Sequence, residues 1–210
     1  MKNTIFSRIT TIIFCAAISI FAFAADSFAQ GTKSGNVKTT IVKVINFAGT
    51  AIIPQAGASL SRDNKGVFAT ISTSSLTPGN VVTFWWVVFN NPELCATPTC
   101  AGSDLNNPLV NGSLQFGGGT IADAGGRANF SGYLEAGDNT GFYLNPAFPN
   151  LPNPSTGIVD TKKAQIHFTL RNHGPASADP VILQQQLTSF PGGCSMMNPC
   201  ANVQAAVFLQ

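Results

Sequence analysis

The segment that most constrains the fold is residues 81–89, VVTFWWVVF. Read as a strand, it sets Val81, Trp85, Val87 and Phe89 on one face and Val82, Phe84, Trp86 and Val88 on the other. Both faces are apolar, so both need a cover, and a strand of that kind is central to its sheet. On the same ground the adjacent Trp85 and Trp86 read as core side chains. At most one of them can serve as a stacking platform for a sugar ring.

The remaining strand signals are shorter and separated by turn residues. They fall at residues 37–45, 67–72, 109–116, 120–122, 127–135, 141–144, 164–171, 181–188 and 203–209. Thr77-Pro78-Gly79-Asn80, Gly117-Gly118-Gly119, Ala124-Gly125-Gly126 and Gly137-Asp138-Asn139 punctuate them. No segment carries a sustained helical period with caps. Many short strands between Gly and Pro turns predict an all-β chain: an antiparallel β-sandwich, jelly-roll or immunoglobulin-like, of about eight to ten strands. Two stretches read as irregular. Residues 91–108 hold one cysteine pair, and residues 145–161 hold four prolines.

The first residues assign a compartment. Lys2 and Arg8 precede an uncharged apolar run over residues 9–24, followed by Ala22-Phe23-Ala24 and Ser27-Phe28-Ala29. This order is that of a cleaved signal peptide over residues 1–29, with cleavage after Ala24 or Ala25 as alternatives. The run is too short to span a bilayer comfortably. Residues 30–210 then form a single exported domain, secreted or periplasmic, without a transmembrane segment.

Cysteine usage agrees with export. Cys15 leaves with the leader, and Cys95, Cys100, Cys194 and Cys200 remain. An even set in an oxidising compartment reads as two disulfides, with local pairs preferred over crossed ones. The competing reading is a four-cysteine zinc site, for which the C-x4-C and C-x5-C spacings are loose.

Charge is sparse and balanced. The chain has 11 Lys and Arg against 9 Asp and Glu, and only 10% of its residues are charged. No basic patch of the kind nucleic acid requires is present. Such a surface suits an exported protein, or one packed against a wall or partner.

The sequence has no G-x-S-x-G, H-E-x-x-H or phosphate-cradling glycine motif. The acidic residues are scattered, and no cofactor is implied. The densest constellation is residues 165–173, QIHFTLRNH. A period of two sets His167, Thr169, Arg171 and, if register holds through the His-Gly-Pro step, His173 on one face. Six residues of straight strand separate the histidines by about 20 Å, too far to share one metal. Hydrogen-bonding structural histidines are therefore preferred to metal ligands. Glu93, just past the central strand, is placed to pair with Arg171, either to orient it for a ligand or to hold the cysteine loop to the sheet.

Several segments resemble a family of secreted bacterial proteins of unknown function. They are Thr83-Phe84-Trp85-Trp86-Val87-Val88-Phe89-Asn90-Asn91-Pro92-Glu93 with Cys95 and Cys100, then Ala164-Gln165-Ile166-His167, Arg171-Asn172-His173-Gly174-Pro175 and the closing Gly192-Gly193-Cys194 to Cys200. The resemblance implies secretion and lends no activity. Relatives carry more acids where this chain has Ala101-Gly102-Ser103-Asp104, which weakens an inherited acidic metal site. His173-Gly174-Pro175-Ala176 is similar to the His-Gly-Pro-Ala of CHRD-type β domains. The leading expectation is a non-catalytic exported protein that binds or packs against a surface, matrix or partner. The alternative is a small-ligand or metal-binding protein, possibly enzymatic, with a site around Glu93, His167, Arg171 and His173.

Overall fold

The structure is a computed structural model and describes residues 37–210. The leader expected over residues 1–29, Cys15 included, lies outside the described residues. Eight strands follow in chain order: β1 (Lys38–Asn46), β2 (Ile52–Arg62), β3 (Gly66–Thr73), β4 (Asn80–Phe89), β5 (Gly112–Ile121), β6 (Ala128–Glu135), β7 (Gln165–Pro175) and β8 (Ala201–Phe208). One helix, α1 (Pro180–Thr188), lies between β7 and β8. All strand pairs are antiparallel, in the order β5-β4-β7-β8-β1-β2-β3-β6.

The expectation of an all-β, antiparallel chain of about eight to ten strands is met with eight. The strands make one continuous sheet, however, where a two-layered sandwich was expected. The sheet curls until its edge strands β5 and β6 lie side by side, and it is nearly barrel-shaped. Gly117 and Gly132 permit that approach. A Cβ on Gly132 would stand 3.3 Å from the Gly117 carbonyl, and one on Gly117 would strike the Phe84 ring at 2.4 Å.

Residues of alternate parity fill the interior. Phe84 and Trp86 of β4 meet Phe168 of β7 with ring centroids 5.0 and 5.1 Å apart, and Phe168 meets Phe208 of β8 at 4.7 Å. Val67, Ala69 and Ile71 of β3, Leu60 of β2 and Leu134 of β6 complete this core. A second cluster lies on the outer face of β4, where Trp85, Val87 and Phe89 pack with Leu105, Val110, Leu114 and Leu151. All ten residues of β4 are buried, as its doubly apolar pattern requires. Both tryptophans are core, which removes either as a sugar platform.

Four segments differ from the sequence expectations. Residues 181–188 form α1 instead of a strand. Asp179 caps it by accepting from the Val181 and Ile182 amides at 2.8 and 3.3 Å, and Pro180 takes its first turn; both are helix-start signals. Strand β2 had no counterpart in the expected set, because its inward residues Ala56 and Ala58 are small and Pro54 interrupts it. Gly117-Gly118-Gly119 runs within β5 instead of turning. A Cβ on Gly119 would meet the Leu187 carbonyl at 2.1 Å, so glycine lets α1 rest on the strand. Residues 141–144 contribute only an isolated bridge, Gln115 to Phe142.

One end of the core is sealed by Arg62, which is 3% exposed. Its Nη1 donates to the Thr161 and Ala164 carbonyls at 2.6 and 2.9 Å, and its Nη2 to the Leu209 carbonyl at 3.3 Å. Burial pulls its pKa down to about 10, so the guanidinium stays charged at neutral pH. Replacing Arg62 with Met should strand these carbonyls and lower stability by about 2–4 kcal/mol. Urea unfolding should show it as a lower midpoint at unchanged slope; an unmoved midpoint would mean that Arg62 does not hold this end together.

Candidate functional site

The outer face of β4 is roofed by two loops, and polar fastenings hold them down. Beyond Phe89, the Asn90 side chain donates to the Asn111 and Gly157 carbonyls, each at 2.9 Å, and accepts from the Val159 amide at 2.8 Å. Asn91 donates to the Leu109 carbonyl at 2.7 Å. The first roof loop is closed by Cys95–Cys100 and the C-terminal loop by Cys194–Cys200, the local pairs preferred from the spacing. Each of these four sulfurs is thus in a disulfide, and the four do not converge as a zinc set.

Asp104 organises the first loop. It is buried, and its two carboxylate oxygens accept from the Ala96 amide at 3.0 Å and the Ala101 amide at 2.7 Å. Glu93, the acid singled out from the sequence, is exposed in a short 3-10 turn (Pro92–Leu94). The expected Glu93–Arg171 pair does not form. Among the described residues the one ion pair is Lys163–Asp160, at the surface. Asp104 is a fixture of the loop that sequence reasoning passed over. Ala96 and Ala101, which precede it in the loop, gave no sign that their amides need an acceptor.

Strand β7 carries His167, Thr169, Arg171 and His173 on the outer face, as the period of two predicts. A bulge opposite Asn80–Val82 absorbs the His-Gly-Pro step, with Gly174 at φ +77°. The four residues then divide. His173 is fully buried and committed: its Nδ1 donates to the Gly192 carbonyl at 2.8 Å, which fixes the tautomer, so Nε2 accepts from the Thr83 hydroxyl at 2.7 Å. Thr83 in turn accepts from Trp85 Nε1 at 2.8 Å. This chain ties β4 and β7 to the C-terminal disulfide loop. Cys200 Sγ lies 3.6 Å from His173 Nδ1, but both sulfurs of that bridge are oxidised and Nδ1 is taken, so the trio His173, Cys194 and Cys200 does not fit a metal ion.

His167 and Arg171 instead line a cleft of about 610 Å³, within the range of small-molecule sites. Its floor is the outer face of β5, β4, β7, β8 and β1, presenting Leu114, Val87, Phe89, His167, Thr169, Arg171, Ala205, Val207 and Ile45. Its roof is Ala101, Gly102 and Leu105 of the first loop, Asn145, Ala147 and Phe148 of the second, and Phe190. Small side chains at Thr169 and Ala205, beneath Ala101, Gly102 and Ala147, leave the volume open.

Arg171 is held but not neutralised. Its Nε donates to the Phe190 carbonyl at 2.9 Å and its Nη1 to Asn202 Oδ1 at 3.1 Å, and its guanidinium lies 4.0 Å over the Phe190 ring. Phe190 is itself stacked on Tyr143 at 4.7 Å and set edge-on to Trp85 at 5.0 Å. Burial lowers the Arg171 pKa and the nearby Tyr143 opposes the shift; an arginine so placed remains a cation at pH 7. At His167, Gln165 Nε2 donates to Nε2 at 2.6 Å and the Phe89 ring packs at 5.0 Å. Burial pushes the His167 pKa down to about 4, so the imidazole is neutral with its proton on Nδ1.

Burial also lowers His173, with Arg171 adding to the shift and the Gly192 hydrogen bond opposing it. For both histidines the folded pKa lies below the unfolded value near 6.5. Their contribution is therefore complete above about pH 6.5 and is lost as pH falls towards the folded values. Each should add a slope of up to about 1.4 kcal/mol per pH unit in that window. Urea midpoints measured from pH 7.5 to 5.5 should fall, and His167→Gln should remove part of the decline. An identical decline in the variant would contradict a neutral, buried His167.

No protein-family model, curated protein or solved structure matches the chain.

Proposed function

We propose that this is an exported, non-catalytic binding protein whose ligand site is the cleft over β4, β7 and β8, and we group it with the secreted proteins that share its WWVVFNNPE-x-C segment. The observation that carries the reading is a cation, Arg171, single and without an acidic partner among the described residues, in the wall of an otherwise uncharged and mostly apolar cleft. Two disulfides accord with an oxidising compartment. Among the described residues no helix is long and apolar enough to cross a membrane.

The chemistry of the lining supports binding over catalysis. Among the described residues no carboxylate lines the cleft, and the nearest cysteines are oxidised. His173 has both nitrogens engaged, and His167 has no nucleophile hydrogen-bonded to it. General acid–base or nucleophilic work needs such pairs.

A second reading, packing against a surface or matrix, is favoured by the outer face of β1, β2, β3 and β6. Paired rows there read Thr39, Ser61, Phe68, Tyr133; then Ile41, Ser59, Thr70, Ser131; then Lys43, Gly57, Ser72, Asn129. Lys43 is the one charge in these rows, and Ile41 is 79% exposed. A broad face of hydroxyls and exposed apolar groups suits contact with an uncharged surface.

The cleft reading is tested with N-phenyl-1-naphthylamine, a neutral apolar fluorophore. The protein should enhance its emission saturably with one site. Ala205→Trp, which fills the floor, should weaken that binding at least tenfold while the melting temperature holds. Undiminished binding by Ala205→Trp would remove the cleft as the site.

A further inference from the structure

We propose that the cleft selects an amphiphilic monocarboxylate, an apolar chain or ring ending in one carboxylate, which Arg171 binds through its Nη edge. The inference rests on the cleft being the ligand site and names what enters it.

The available edge of Arg171 defines the recognition. A guanidinium has five N–H donors in a fixed fork. Nε and one Nη1 hydrogen are used within the protein, while Nη2 has only Cys194 Sγ at 4.0 Å. One face is stacked on Phe190. The donors that remain lie on the Nη edge, where a carboxylate accepts two parallel N–H bonds. The Phe190 and Asn202 contacts hold the fork in place before the ligand arrives, which reduces the ordering that binding requires.

The rest of the lining sets the charge and shape. Among the described residues Arg171 is the only formally charged one lining the cleft. A cationic ligand would face it with no acid to answer. A phosphate dianion would bury a second negative charge without a partner, at substantial desolvation cost. A carboxylate matches a single positive charge. Beyond Arg171 along β7, Thr169 is two residues away and His167 four, roughly 7 and 13 Å of strand. Among the described residues the Thr169 hydroxyl and His167 Nδ1 donate to no acceptor, and the side chains around them include Val87, Phe89, Leu114 and Val207. An apolar body laid along β7 covers these groups, with room for one hydroxyl on it to meet Thr169 or His167.

The experiment is displacement of N-phenyl-1-naphthylamine by decanoate, decanol and decylamine at pH 7.5, with the exported protein. Decanoate should compete at least tenfold better than either of the others. Arg171→Gln should bring the three within about twofold when each is referred to the variant's own affinity for the neutral fluorophore, and Arg171→Lys should restore only part of the preference. If Arg171→Gln does not fold, the wild-type comparison alone decides. Fluorophore binding with no preference for decanoate would overturn the carboxylate assignment and leave the cleft reading standing. Failure of the wild type to bind either fluorophore or decanoate would overturn both.

Discussion

Every side chain of β4 is buried, and a strand with no wet face needs two covers. The inner cover is the curled sheet itself, which closes Phe84, Trp86 and Val88 against Phe168, Phe208 and the strands beyond. The outer cover cannot be sheet, because β5 and β7 already occupy both edges of β4. It is made of loops instead, over Trp85, Val87 and Phe89. Burying a side chain of this size contributes roughly 1.5–3 kcal/mol, so losing either cover exposes several such contributions at once.

Loops make a poor roof unless they are fastened, since their own backbone polar groups need partners wherever they are buried. This explains the polar residues that flank so apolar a strand. Asn90 and Asn91 bind the backbone of two separate loop segments, 109–111 and 157–159, Asp104 closes the first disulfide loop, and the Trp85–Thr83–His173–Gly192 chain secures the second. The fastenings lie at the margins of the roof. Between them the facing residues are small, and the roof stands off the sheet. The cleft is thus a by-product of covering a strand with loops, and Arg171 at its wall is what the proposed ligand preference rests on.

Much of this was legible in the residues. The double burial of β4, the shared face of His167, Thr169, Arg171 and His173, and the local disulfides follow from periodicity and spacing that operate within a few residues. What was not legible depends on distant partners. Arg171 meets Phe190 and Asn202 in place of Glu93, because the path of the 190–200 loop decides which acceptors reach it. The curled single sheet depends on β1 pairing with β8, a contact between the two ends of the described chain that no local pattern announces. Strand β2 was hidden by alanines that pack inward without looking like a strand. Helix α1 was hidden by Val181, Ile182 and Leu183, although Asp179-Pro180 marks its start. In the helix the apolar composition spoke more loudly than the more specific capping signal beside it.

The central claim is that the outer face of β4 and β7, beneath its loops, is where a ligand sits. Amide chemical-shift mapping of isotope-labelled protein titrated with decanoate tests it most directly. The account predicts saturable shifts confined to the amides of β7 from His167 to Arg171, to Ala205 and Val207 of β8, and to Phe190. Shifts centred instead on Ile41, Ser59 and Thr70, or no saturable shift at all, would contradict it.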